Sequence, residues 1–147
     1  MDLTQTFPRS VHERLAGIVQ LGRTLDKARA FNSGTLGQYH YNCGMDQALF
    51  EFLGSNKDDF AARARLSDAE FERWIRDAYL SKKSADDIDR WNREWIQHAP
   101  ESGSQSEAYF LELRNQLAPD RTDIIAWADL LDLDEGRKVP GRHKIAA

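Results

Sequence analysis

Six polar or reactive side chains fall within eight positions: Tyr39, His40, Tyr41, Asn42, Cys43 and Asp46. Histidine exchanges a proton near neutral pH, so His40 is a candidate general acid or base. The Tyr39 and Tyr41 hydroxyls can donate to a developing oxyanion or orient a substrate. Asp46 stands where the next helix should begin, and a carboxylate suits the positive end of a helix dipole. Cys43 precedes that helix start, a place that favours thiolate. These groups give a catalytic set of His40, Tyr39, Tyr41 and Asp46, with Asn42 and Cys43 as ligand contacts. A metal is not expected. The spacing of His40 and Cys43 matches no strong zinc pattern, and His12, His98 and His143 are scattered. The same residues also have plain structural uses: tyrosines capping a core, Asn42 satisfying backbone, Asp46 capping a helix and Cys43 as a small buried hydrophobe.

A second group lies just upstream. Arg23 and Lys27 are four apart, and Asp26 is three from both Arg23 and Arg29. On one helix, Arg23, Lys27 and Arg29 can hold an anionic ligand. The competing reading is a surface ladder of ion pairs, each contributing about 0.3–0.5 kcal/mol. A third group is aromatic. Trp74, Trp91, Trp95 and Trp127 sit on apolar stripes, where core packing is the simpler role, with Arg90 and Arg93 near enough in sequence to stack on them.

These candidates need elements to hold them, and the patterning is helical. Ser10 and Glu13 form a capping box. Leu15, Ile18, Val19, Leu25 and Ala28 follow at helical spacing, which predicts a long first helix from Ser10 to about Ala30. Gly17 and Gly22 inside it imply that another backbone packs closely there. Gly34, Gly37 and Gly44 punctuate the Tyr39–Cys43 stretch, which reads as an ordered loop or a short extended piece. Further helices are expected over Leu49–Leu53, from a cap within Ser55-Asn56-Lys57-Asp58 to about Ala64, from Ser67, from Ser84 to Pro100, from Glu107 to Pro119, and from Asp120 or Thr122 to Gly136. The fold expected is all-α: a single compact domain over residues 1–136 with six or seven helices and one irregular Gly/Tyr-rich loop after the first. Residues 137–147 form a basic, flexible tail.

Composition agrees with a water-soluble globular chain. It has 147 residues, 41% hydrophobic and 30% charged. One cysteine excludes a disulfide framework and fits a reducing, cytoplasmic setting. The N-terminus lacks the charged and apolar regions of a signal peptide, and no apolar run is long enough to span a membrane. The net charge is −4. Arg137, Lys138, Arg142 and Lys144 carry four positive charges in the last eleven residues, so the remainder stands near −8. That balance disfavours nucleic acid as a partner.

The first third has a familiar order. Asp2-Leu3-Thr4, Pro8-Arg9-Ser10, Leu15-Ala16-Gly17-Ile18-Val19 and Leu25-Asp26-Lys27-Ala28-Arg29-Ala30 are followed by Gly34-Thr35-Leu36-Gly37-Gln38-Tyr39, Met45-Asp46 and Phe52-Leu53-Gly54. This resembles a bacterial family catalogued as domain of unknown function 5069. The resemblance is specific over residues 2–54, looser through the Trp-containing helices, and not distinctive over the last 45 or so. It implies a small, stand-alone bacterial protein and brings no activity, substrate or cofactor. Members often have Pro where this chain has Val11 and Gly44.

The residues alone favour a protein that binds or converts an anionic small molecule in a pocket between the first helix and the 34–46 loop, by metal-independent acid/base chemistry and without a cofactor. The alternative is an interaction or dimerisation module, with a homodimer as its simplest form.

Overall fold

Left-handed backbone, not the Ser10 cap, decides where the first helix begins. In the computed structural model, which describes residues 1–142, Ala16, Gly17 and Gln20 all have positive φ, at 52°, 74° and 69°. Three such residues within five cannot continue a right-handed helix. Residues 10–20 therefore run as turns, and the predicted helix from Ser10 is corrected to α1, Leu21–Ser33. The Ser10 hydroxyl accepts instead from the His12 N–H. Leu15 and Ile18 close a tight turn by exchanging two backbone hydrogen bonds of 3.1 and 2.9 Å. That turn buries Leu15, Ala16, Ile18 and Val19 without a helix.

The turn is held by two distant side chains. Glu72 accepts the Ala16 N–H at 2.9 Å. Asn92 accepts the Val19 N–H at 3.1 Å and donates to the Gly17 carbonyl at 2.8 Å. Among the described residues, no other backbone packs against Gly17 or Gly22: a methyl group at Gly17 would meet nothing within 4 Å, and Gly22 faces a side chain. A methyl group at Gly22 would meet the Arg9 side chain at about 3.1 Å.

The remaining helices are α2 (Gly44–Leu53), α3 (Lys57–Arg63), α4 (Asp68–Ala78), α5 (Ala85–Ile96), α6 (Gln105–Leu117) and α7 (Trp127–Asp134). A short 3₁₀ turn covers Leu80–Lys82. Asn56, Ser67 and Ser104 cap α3, α4 and α6 through their side-chain oxygens. Gly34 and Gly54 end α1 and α2 in the left-handed conformation. The last helix begins later than its Asp120 and Thr122 signals suggest, because residues 119–126 form turns. The fold is all-α, with seven α-helices and no named strand among the described residues.

The chain packs as two compact units, Met1–Asn92 and Arg93–Ala147. The first is centred on Ile18, Leu21 and Leu25, with Leu49 and Phe50 of α2, Phe60 of α3, and Phe71 and Ile75 of α4. Its aromatic rings form a chain. Phe50 meets Phe60 and Phe60 meets Phe71, each at 5.1 Å, and Phe71 meets Trp74 at 5.4 Å. The second unit is built on Phe110, Ile124, Leu130 and Val139, with Trp127 set edge-on to Phe110 at 5.0 Å. All four tryptophans are only partly buried: Trp74 and Trp91 pack against the first core, Trp127 against the second, and Trp95 stacks on His98 at 4.7 Å.

Part of the basic C-terminal stretch is tied down in the second unit. Arg142 grips Asp129 through two hydrogen bonds of 2.9 and 2.8 Å, and its N–H reaches Asp123. Arg121 holds Asp123 and the carbonyls of Val139 and Pro140. Arg137 pairs with Asp132 and Glu135. His143 and Lys144 lie outside the described residues.

Candidate functional site

The 34–43 segment is a loop of turns, and a buried ion pair ties it down. Thr24 and Lys27 face the start of α2 from successive turns of α1. The Lys27 ammonium sits 2.8 Å from Asp46 Oδ2, with the two side chains 6% and 0% exposed. Lys27 also donates to the His40 carbonyl at 3.0 Å and lies 3.3 Å from Cys43 Sγ. Asp46 receives the Thr24 hydroxyl at 2.7 Å and the backbone N–H groups of Asn42 and Cys43 at 3.0 and 3.2 Å. The Cys43 thiol lies 3.4 Å from the same carboxylate. Gln20 completes the chain by donating to the Thr24 hydroxyl. A buried carboxylate is costly without partners, and this one has several charged or oriented donors.

The sequence candidates therefore divide. Lys27, Cys43 and Asp46 converge, joined by the backbones of His40 and Asn42. The His40 side chain is exposed. Asn42 takes positive φ, at 68°, and contributes its N–H and its carbonyl, which accepts from Gln47. Arg23 is 3% exposed, donates to the Arg9 carbonyl, and lies with its guanidinium carbon 5.7 Å from the centre of the Tyr39 ring.

Tyr41 and Arg29 are used elsewhere. Tyr41 places its ring against Phe31 and Phe50 and donates its hydroxyl to the Lys57 carbonyl at 2.7 Å. Burial, with the charges of Asp46 and Asp58, pushes its ionisation well above the usual phenol range. It is thus a donor and not a phenolate. Arg29 donates to the carbonyls of Ala64 and Leu66 at 2.9 and 2.8 Å and pairs with Asp68 at 3.0 Å.

Sequence reasoning passed over a second charged network. Asp26, 2% exposed, is gripped by Arg9 through Nε, Nη2 and backbone N–H. Arg9 extends to Asp68, which Arg29 meets from its other side. Partial burial opposes the charge on Asp68, yet the hydrogen bonds and charges of Arg9 and Arg29 outweigh it and hold the carboxyl below its ordinary range. Asp68 could be read from sequence only as the first residue of a helix. Its two arginine partners lie 59 and 39 positions away, and no local pattern signals such pairs.

A family model described as a domain of unknown function matches residues 5–137. The chain belongs to the DUF5069 family. No curated protein matches it significantly. The match covers both charged networks, so this DUF5069 chain carries them inside the family region. One departure from the family resemblance has a physical reading. Gly44 is the first residue of α2, where proline is favoured because the N–H there has no partner within the helix. Cys43 before it has φ −70° and ψ 175°, which a following proline accepts. No helix of this DUF5069 protein is long and apolar enough to cross a membrane among the described residues.

Proposed function

We propose that this DUF5069 chain binds an anionic small molecule at the 34–46 loop beside α1, with His40 as the group that moves a proton if the ligand is converted. One observation carries this reading. An exposed imidazole stands on a loop whose backbone is fixed on both sides, the His40 carbonyl by Lys27 and the Asn42 and Cys43 N–H groups by Asp46. Reactive groups on loops held by a rigid scaffold are the usual arrangement of binding and catalytic sites. In this reading Lys27 and Asp46 act by positioning, Tyr39 and Arg23 form the neighbouring wall, and Asn42 and Cys43 complete the rim. Arg29 and Tyr41 hold the surrounding frame. The reaction needs no metal or cofactor, and a cytoplasmic setting keeps the Cys43 thiol reduced. The test is a thermal-shift screen of small carboxylates and phosphates against the wild type, His40→Ala and Arg23→Ala. A hit lost in both variants supports the reading. A set of shifts identical in all three proteins overturns it.

The second reading is an interaction module, favoured by Tyr109, Leu117 and Ile125, which are 60%, 41% and 58% exposed in the second unit. Light scattering on the full chain and on a form ending at Gly136 measures it. A dimer mass favours this reading, and a strict monomer in both forms counts against it.

A further inference from the structure

We infer a second ligand site on the α3–α4 face of the first unit, one that takes a planar aromatic compound bearing a single acidic group. A groove of about 510 Å³ opens there, lined by Arg63, Leu66, Glu70, Arg73, Trp74 and Asp77 among others. Its size lies within the range of small-molecule sites, roughly 300–1,000 Å³. Trp74 is its shelf. The indole is set by edge contacts with Phe71 at 5.4 Å and Tyr79 at 5.3 Å, so it does not need to be ordered when a ligand arrives.

Two cations line this shelf. The Arg63 guanidinium carbon lies 5.4 Å from the centre of the Trp74 ring. The guanidiniums of Arg63 and Arg73 make no hydrogen bond or ion pair within the described residues, although Glu70 and Asp77 line the same groove. This sets them apart from Arg9, Arg23 and Arg29, whose guanidiniums are engaged by carboxylates or carbonyls. Glu70 is already committed to the α4 cap, where it accepts the Ser67 hydroxyl at 2.9 Å.

The chemistry of the occupant follows. An aromatic ring gains from the Trp74 face and the Leu66 side of the groove. A carboxylate or phosphate monoester offers the paired oxygens that a guanidinium fork binds best. Glu70 and Asp77 repel a run of negative charges, so a single acidic group is preferred to a polyphosphate or an RNA strand.

The test uses the full chain and four probes in calorimetric titrations: 2-naphthoate, AMP, neutral naphthalene-2-methanol and inorganic phosphate. At least one of the two aromatic acids should saturate, and which one does identifies a carboxylate or a phosphate ligand. The neutral ring and the bare phosphate should bind at least about tenfold more weakly. Arg63→Gln with Arg73→Gln, both on exposed side chains, should weaken the acid by at least about tenfold, with an unchanged thermal melt. The inference is overturned if neither acid binds below about 1 mM, if the neutral ring binds as well, or if the double variant binds as the wild type does.

Discussion

Asp46 and Asp87 show how differently two ion-paired aspartates of this chain behave. Asp87 meets Arg90 on an exposed face of α5, with both side chains more than half exposed. Asp87→Asn should change stability by less than about 1 kcal/mol. Asp46 is fully buried and serves Lys27, Thr24 and two backbone N–H groups. Asp46→Asn leaves the Lys27 ammonium buried without its counter-charge, and should destabilise by about 3–5 kcal/mol in urea unfolding. A loss as small as that of Asp87→Asn would mean that water reaches the pair. Asp68 adds a pH dependence. Its folded carboxyl is held below its ordinary value of 3.8, so its contribution is present above the unfolded value and lost as acid protonates the folded form. Melts of Asp68→Asn should therefore fall less steeply than the wild type as pH drops below about 4.

At the scale of the element, strain and capping decide boundaries. Ala16 adopts positive φ at the turn before α1, which costs a non-glycine residue about 1–2 kcal/mol. The turn persists because Asn92, 1% exposed, holds both sides of it from α5. Asn92→Ala should cost about 1–3 kcal/mol, since it strands a buried N–H and a carbonyl. Gly44→Pro should move stability the other way, by about 0.4–1 kcal/mol. The first helical position tolerates the missing donor, and a methyl group at Gly44 meets nothing within 4 Å. A lower melting temperature for Gly44→Pro would show that the Gly44 N–H has a partner.

At the scale of the whole chain, each unit closes its own core, and the second uses the start of the basic stretch to do so. Val139 is 6% exposed and packs with Phe110, Ile124 and Leu130. Ending the chain at Gly136 removes that side chain together with the Arg137 and Arg142 pairs. The near-ultraviolet circular dichroism of Trp127 should melt several degrees lower in the truncated form. An unchanged melt would show that the pairs add nothing to the packing.

Helical type was legible from α1 onward, because apolar periodicity and Ser, Asn and Gly caps are local signals. The caps at Asn56 and Ser67 and the Gly54 stop fall where local chemistry places them. The Ser10 capping box misled for a local reason too, since the left-handed residues that break its helix carry no Pro, and only one of the three is glycine. The candidate site was legible in composition but not in connectivity. Lys27, Cys43 and Asp46 could be named, yet the pairing of Lys27 with Asp46 spans 19 positions, and the Arg9–Asp68 pair spans 59.

The amino-acid sequence by itself determined an all-α chain, the crowding of reactive groups into one loop and the resemblance to a family. Hydrophobic period, capping chemistry and residue order are properties of neighbours along the chain. Only the tertiary structure decided which of those groups are buried supports and which face solvent. Charge pairing and burial depend on distances between segments far apart in sequence, and packing around Ile18, Leu25 and Phe71 brings those segments together.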